Sequence, residues 1–105
     1  MFGLFKKLFG QGNNEDLAVL IREGAYLVDV RSPQEFAGGS VKGAVNIPVD
    51  QVQNQIDKFK GKNQIVVFCR SGNRSRQAKS ILNQNGYTNV TNGGTWGNVN
   101  QFVKS

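Results

Sequence analysis

One uninterrupted apolar run, "QIVVFC" at 64–69, constrains the fold more than any other feature of this chain. It is short, rich in Val and Ile, and lacks the polar alternation of a strand with one face in water. Such a run is typical of a central strand in a parallel sheet, buried on both faces. The runs "AYLVDV" at 25–30, "AVNIP" at 44–48 and "YTNVTN" at 87–92 predict three further strands.

Helical patterns separate these strands. Apolar residues recur at helical spacing over 14–24, 49–61 and 74–86, and a last short helix follows a glycine turn in 93–105. "SPQEF" predicts another helix start, with Ser32 as the N-cap. Because strands alternate with helices, the sequence predicts an α/β domain built on a parallel sheet.

The chain has 105 residues, enough for one compact domain, which we place at 13–105. We expect residues 1–12 to be a short amphipathic segment and hinge, because Phe2, Phe5 and Phe9 are spaced for one helical face. This run is too short and too broken for a signal peptide core or a membrane span. Contact with a membrane surface, self-association through residues 1–10 and packing on the domain are the alternatives.

The sequence contains no histidine and a single cysteine, Cys69. Without histidine, no Cys-His or Ser-His pair can form within the chain, which excludes an ordinary thiol protease or serine hydrolase. A zinc site would have no imidazole ligand, so we expect no metal, and no cofactor motif is evident. A lone cysteine cannot form an internal disulfide, which favours a reducing compartment and a cytoplasmic location.

Charge is distributed unevenly along the chain. The net charge is +6, no acidic residue follows Asp57, and eight basic residues lie beyond it. The half that contains Cys69 is therefore positive, which favours a small anionic substrate or an acidic partner. We expect no nucleic acid partner, because there is no zinc-finger spacing, aromatic RNA motif or long basic run. Lys58, Lys60 and Lys62 are interpreted as a solvated face.

The stretch "CRSGNRS" at 69–75 admits two interpretations. Cys69 is either a small buried residue ending a strand or a nucleophile held as a thiolate. The second is favoured because the carboxyl edge of an open α/β sheet is where ligands bind, and because a helix N-terminus favours an anion. Gly72 permits a tight turn that brings N–H groups near the sulfur, and Arg70 and Arg74 add positive charge, whereas Arg76 is expected on the helix surface.

Three stretches resemble one known family. "CRSGNRS" resembles the active-site loop of rhodanese-like sulfurtransferases, "LVDVRSPQEFAGGSVKGAVNIP" at 27–48 is similar to their second signature, and "GGTWGN" at 93–98 to their glycine-glycine-tryptophan segment. The resemblance runs from about residue 14 to the end of the chain. One position departs from it: Ser40 stands where relatives often have a histidine.

The resemblance implies a three-layer α/β fold, with helices on both faces of a central, mostly parallel sheet. It implies a sulfurtransferase in which Cys69 takes a sulfane sulfur from a donor such as thiosulfate and passes it to cyanide, a thiol or an acceptor protein. The implied substrate-binding residues are those of the loop, with Arg70 on the donor's sulfonate: Arg70, Ser71, Gly72, Asn73, Arg74 and Ser75.

Two other functions stay open on the sequence. The domain could be a non-catalytic binding or sensing module. It could also be a cysteine-dependent phosphatase, although Cys69 and Arg74 are separated by four residues, one fewer than in the C-x5-R loops of phosphatase relatives. Asp29 and Arg31 could touch the site, since Asp29 ends a strand near the same edge. They are expected instead to serve as local hydrogen-bond partners, with Arg31 paired to Glu35, and Trp96 is expected in the core.

Overall fold

A computed structural model describes residues 14–103 of the chain. The amphipathic segment predicted at 1–12 therefore lies outside the described residues. We number the elements in chain order: α1 Asn14–Arg22, β1 Tyr26–Asp29, α2 Pro33–Ala37, β2 Val45–Asn46, two 3-10 helices at Val49–Gln51 and Ile56–Phe59, β3 Ile65–Cys69, α3 Asn73–Gln84, β4 Val90–Thr95 and α4 Trp96–Asn100.

The strands form a four-stranded sheet in the order β2-β1-β3-β4, and every neighbouring pair is parallel. The most apolar run of the sequence is β3, which lies between β1 and β4 as predicted and is buried throughout. Asp29 of β1 pairs with Phe68, and Cys69 pairs with Thr95 of β4. The carboxyl ends of these three strands therefore meet at one edge of the sheet.

Side chains of β3 alternate between two apolar clusters, one on each face of the sheet. Ile65, Val67 and Cys69 belong to the cluster that includes Ala78 and Leu82 of α3. Val66 and Phe68 belong to the other, which α1 and α4 complete with Leu17 and Val99. Each fully buried side chain of this size contributes about 1.5–3 kcal/mol relative to an exposed one. The predicted α/β fold with helices on both faces of a parallel sheet is confirmed.

The single helix predicted at 49–61 is wrong. The segment forms two short 3-10 helices separated by turns, and Gln55 leaves helical geometry between them at φ −116° and ψ 30°. Its Val, Ile, Asn and Asp residues are poor helix formers, so nothing local opposes the interruption. Val52 and Phe59 still reach the first cluster, which is why the apolar spacing resembled that of one helix.

The last strand also differs from its prediction. β4 begins at Val90 and continues through both glycines to Thr95, where a turn was expected. The pairing shifts by one residue between Val67 and Phe68 of β3, so the glycines form an irregularity within the strand. Such bulges bend a strand and redirect a neighbouring side chain without ending it.

The predicted helix start at Ser32 is confirmed. The backbone N–H of Glu35 donates to Ser32 Oγ at 3.2 Å, and the Ser32 N–H donates to Glu35 Oε1 at 3.0 Å. This reciprocal capping fixes Glu35 at the edge of the sheet where β1 ends. Among residues 14–103, no helix is long and apolar enough to cross a membrane.

Candidate active site

Cys69 is the last residue of β3, and α3 begins at Asn73 after a three-residue turn. Its side chain belongs to the first apolar cluster and is 0% exposed. The Gly72 N–H nevertheless donates to Cys69 Sγ at 2.9 Å. The sulfur is thus both packed against the core and held by a peptide amide, so each of the two interpretations of the sequence describes part of its environment.

Gly72 gives the turn its shape. Its φ of +97° lies in the left-handed region that only glycine adopts without strain, and it is the N-cap of α3. No side chain caps this helix start, so its first N–H groups remain directed at the turn. A helix N-terminus oriented in this way favours negative charge on the sulfur.

Ser75 lies beneath the turn and is fully buried. Its Oγ is 3.5 Å from Cys69 Sγ, and its one hydroxyl proton has two oxygen acceptors within reach, Asn92 Oδ1 at 2.7 Å and Gly72 O at 3.1 Å. Burial acts to raise the pKa of the Cys69 thiol, but hydrogen bonds from the Ser75 hydroxyl and from the N–H groups of Ser75, Gly72 and Ser71 outweigh it. The pKa of Cys69 is therefore lower than that of an ordinary thiol, without a histidine.

Arg74 is held by Glu35 of α2. Its Nη1 donates to Glu35 Oε1 at 2.7 Å and its Nη2 to Glu35 Oε2 at 3.1 Å. These bonds, with those from Ser32, lower the pKa of Glu35 to about 2, and the same carboxylate raises the pKa of Arg74. The expected pairing of Arg31 with Glu35 is wrong, because the fork of Arg74 occupies this carboxylate.

Arg31 pairs instead with Asp29. Its Nη2 donates to Asp29 Oδ2 at 2.7 Å, and its backbone N–H to Asp29 Oδ1 at 3.0 Å. Ser40, at the position of the expected histidine, donates to the same carboxylate at 2.7 Å. Asp29 and Arg31 are buried, and the Arg31 guanidinium lies 4.9 Å from the centre of the half-buried Trp96 ring. They form a buried local network, as expected, although with a different pairing.

The outer side of the turn is exposed. Arg70, Ser71 and Asn73 face solvent, and so does Arg76 one turn into α3. The structure therefore places Gly72 and Ser75 against the sulfur and Arg74 on Glu35, and it leaves Arg70 exposed directly after Cys69. Within the described range, no three His, Cys, Asp or Glu side chains are grouped as a metal site requires.

Sequence reasoning missed two residues near the cysteine, Glu35 and Asn92. Glu35 was expected in a helix start and as the partner of Arg31, yet its carboxylate holds Arg74 of the cysteine loop. Asn92 was assigned to a strand without a role, yet its carboxamide contacts Ser75. The only available signal was a polar residue directly before the two glycines.

A lone thiol held by peptide amides at the carboxyl edge of a parallel sheet defines a cysteine-centred α/β domain. The chain belongs to the rhodanese-like domain family, whose model matches residues 13–94.

One similar protein is thiosulfate sulfurtransferase PspE of Escherichia coli strain K12, which is 44% identical over 69 residues. The match covers 64% of this chain and 66% of PspE, so this chain spans just under two thirds of the length of PspE. The thiosulfate:glutathione sulfurtransferase of Homo sapiens is 34% identical over 92 residues, covering 73% of this chain and 80% of that protein. The solved structure of a rhodanese with anions from E. coli superposes with a TM-score of 0.66 at 35% identity, covering 71% of this chain and 91% of that one.

Proposed function

We propose that this protein is a sulfurtransferase that carries a sulfane sulfur on Cys69, between a thiosulfate-like donor and a thiophilic acceptor. The observation that supports it most directly is the 2.9 Å hydrogen bond from the Gly72 N–H to Cys69 Sγ, in a turn at a helix N-terminus. Relatives named thiosulfate sulfurtransferases support the choice of donor.

In the first half-reaction, the Cys69 thiolate attacks the outer sulfur of thiosulfate. A bond forms between the two sulfur atoms, the bond from the outer sulfur to the sulfonate sulfur breaks, and sulfite leaves with its electron pair. Cys69 then carries a persulfide with one negative charge. The N–H groups of the turn and the dipole of α3 stabilise that charge without a proton transfer. Arg70, which is exposed and directly follows Cys69, would pair with the oxygens of the donor.

In the second half-reaction, cyanide or a thiolate attacks the terminal sulfur, takes it, and leaves Cys69 as the thiolate. The two half-reactions share one covalent intermediate, so ping-pong kinetics are expected. Cys69 itself is 0% exposed, and the residues that follow it, Arg70 and Ser71, are exposed, so substrates reach the sulfur from the side of this turn. A reducing compartment suits this chemistry, because the lone thiol must stay unoxidised between turnovers.

Two rival functions predict different chemistry at Cys69. A binding module needs no lowered thiol pKa and would not take up sulfur. A phosphatase of the C-x5-R type has one more residue between its cysteine and its arginine than this loop has, and Arg74 is here oriented by its two bonds to Glu35. The environment of Cys69 therefore favours sulfur transfer over both.

Intact-mass measurement after thiosulfate treatment tests the proposal. We expect a gain of one sulfur atom on the wild type, lost again on addition of cyanide, and no gain for Cys69→Ala. Ser80→Ala, an exposed substitution on the same helix, is the matched control and should behave as the wild type. A wild type that stays unmodified, or hydrolysis of an aryl phosphate that Cys69→Ala loses, would overturn the proposal.

A further inference from the structure

Ser75 has one hydroxyl proton and three acceptors within reach. Its Oγ lies 2.7 Å from Asn92 Oδ1, 3.1 Å from Gly72 O and 3.5 Å from Cys69 Sγ. A hydroxyl can donate only one hydrogen bond at a time. The three acceptors therefore compete, and the shortest contact is to Asn92.

Asn92 is fixed in place by the irregularity in β4. Its Oδ1 also accepts from the Gly94 N–H at 2.9 Å, and its Nδ2 lies 3.4 Å from Gly72 O. Asn92 pairs with Val67 of β3, whereas the next pair is Phe68 with Gly94, so the extra residue, Gly93, lies directly after Asn92. The carboxamide is thus held against Ser75 by backbone contacts on two sides.

We infer that Asn92 is a positioning residue that sets the reactivity of Cys69 by competing with the sulfur for the single hydroxyl proton of Ser75. When the thiol is neutral, the Ser75 hydroxyl donates its hydrogen bond to Asn92 Oδ1, and the S–H of Cys69 can donate to Ser75 Oγ. When Cys69 ionises, the hydroxyl turns to the sulfur, and Asn92 Oδ1 keeps only the Gly94 N–H. The thiolate is a stronger acceptor than a thiol, which drives this exchange.

The contest has a defined direction. A hydrogen bond that the thiolate gains from Ser75 is one that the oxygens of Asn92 and Gly72 lose, and Asn92 Oδ1 is the nearer of the two. Asn92 therefore weakens the stabilisation that Ser75 gives to the thiolate. Removing the acceptor at position 92 should make the thiol more acidic, and strengthening it should make the thiol less acidic. A purely structural role for Asn92 predicts no such opposition of signs.

The charged residue nearest to Cys69 in the chain is Arg70, which directly follows it and is exposed to solvent. Arg74 of α3 lies on the same side, and Glu35 of α2 balances it. Asp29 of β1 alternates with Val28 and Val30 of the Cys69 cluster, which places it on the other face of the sheet, where Arg31 neutralises it. At this edge, β4 contributes Gly94 and Thr95, which carry no charge.

The test is the pH dependence of Cys69 alkylation by iodoacetamide, with no sulfur donor present. The midpoint of the profile is the readout, since access to the buried sulfur scales the rate equally at every pH. We expect Asn92→Ala and the bulkier Asn92→Leu to lower the midpoint by about half to one pH unit, the scale of one hydrogen bond. Asn92→Asp should raise it, because a carboxylate holds the Ser75 proton more strongly and adds negative charge.

Two controls make the result specific. Asn89→Ala removes an asparagine that donates to Lys62 O and Asn63 O just before β4, and it should leave the midpoint unchanged. In a Ser75→Ala background, the effect of Asn92→Ala should vanish, because the hydroxyl that connects Asn92 to the sulfur is gone. The inference is overturned if the midpoint in Asn92→Ala and Asn92→Leu is equal to or higher than that of the wild type. It is also overturned if Asn92→Ala still shifts the midpoint in the Ser75→Ala background.

The inference rests on Cys69 as the nucleophile of the proposed function, but the two can fail separately. Midpoints that shift as expected in a protein that never gains sulfur from thiosulfate would support the role of Asn92 and overturn only the sulfurtransferase proposal. Sulfur uptake by a protein whose alkylation midpoint is the same in the wild type and the Asn92 variants would support the sulfurtransferase proposal and overturn the role of Asn92.

Discussion

Gly72 combines two tasks in one residue. Its φ of +97° closes the turn, and its N–H points at Cys69 Sγ from 2.9 Å. A Cβ at this position would have only Gly94 Cα within 4 Å, at 3.8 Å, so the cost of a side chain is conformational rather than steric. A left-handed conformation costs a residue with a Cβ about 1–2 kcal/mol.

We therefore expect Gly72→Ala to lower the free energy of unfolding by about 1 kcal/mol and to raise the pKa of the Cys69 thiol, because relaxation of the turn moves its N–H away from the sulfur. Urea unfolding and the midpoint of the alkylation profile measure the two effects. Gly86→Ala is the matched control: its φ is +92°, a Cβ there would have no heavy atom within 4 Å, and it follows the far end of α3. Gly86→Ala should lower the free energy of unfolding but leave the midpoint of the alkylation profile unchanged. Equal midpoints in both variants would contradict the assignment of Gly72.

At the scale of elements, the bond between Glu35 and Arg74 fastens α2 to the start of α3, and the turn that holds Cys69 lies directly before that start. The pKa of Glu35 falls to about 2 in the folded protein from an ordinary value of 4.5. A carboxyl with a depressed folded pKa contributes stability above its unfolded pKa, and that contribution is lost as the pH falls towards the folded value.

Glu35→Gln keeps an oxygen for the Ser32 cap but removes the charge that binds Arg74. We expect the wild type to be more stable than this variant above pH 4.5, and the difference to shrink as the pH falls from 4.5 towards 2. Chemical denaturation at a series of pH values measures the difference. Glu23→Gln, at an exposed carboxylate just beyond α1, should show no comparable trend. A difference for Glu35→Gln that is constant over this pH range would exclude the carboxylate charge as its source.

The irregularity in β4 depends on a close approach between elements. A Cβ on Gly93 would lie 2.6 Å from Val99 Cγ2 of α4 and 3.0 Å from Val66 Cγ1 of β3. We expect Gly93→Ala to destabilise the protein by about 1–3 kcal/mol, the usual cost of overpacking. Adding Val99→Ala should recover part of that loss in a double-mutant cycle, because it removes the methyl groups that collide.

Gly97→Ala is the matched control for this prediction. Gly97 is exposed within α4, and a Cβ there would have its nearest heavy atom 3.9 Å away. The substitution should stabilise the protein by roughly 0.5–1 kcal/mol, since alanine favours a helix interior over glycine. Thermal unfolding measures all four variants. Strictly additive losses in the cycle would show that Gly93 does not contact Val99.

The elements that the sequence predicted well are those with a strong local signal. The apolar run of β3 and the Ser32 cap each carry their own pattern, and both are confirmed. The segment at 49–61 and the glycines of β4 depend on packing against distant residues, which periodicity does not encode. The partner of Glu35 could not be deduced from the sequence either. Arg31 is nearer to Glu35 along the chain, whereas Arg74 lies close to it only in the folded structure.

At the scale of the whole molecule, the sheet separates two groups of positive charge. Arg70 follows the carboxyl end of β3, at the turn that holds Cys69, whereas Lys60 precedes the other end of the same strand. The five residues of β3 that lie between them span about 15 Å, which exceeds the Debye length of about 10 Å at 0.1 M salt. A doubly charged donor at Cys69 should therefore interact with Arg70 far more than with Lys60.

Each of Arg70→Gln and Lys60→Gln removes one positive charge from an exposed position. At 0.1 M salt, we expect Arg70→Gln to lower kcat/KM for thiosulfate by roughly fivefold, the effect of about 1 kcal/mol of contact electrostatics. Lys60→Gln should change it by less than about twofold, since screening removes most of its distant field. Raising the salt should lower kcat/KM of the wild type and narrow the gap between the two variants, while alkylation by uncharged iodoacetamide should depend only weakly on salt. If the two variants lose activity equally at every salt concentration, the donor responds to the net charge of the molecule, and Arg70 makes no specific contact with it.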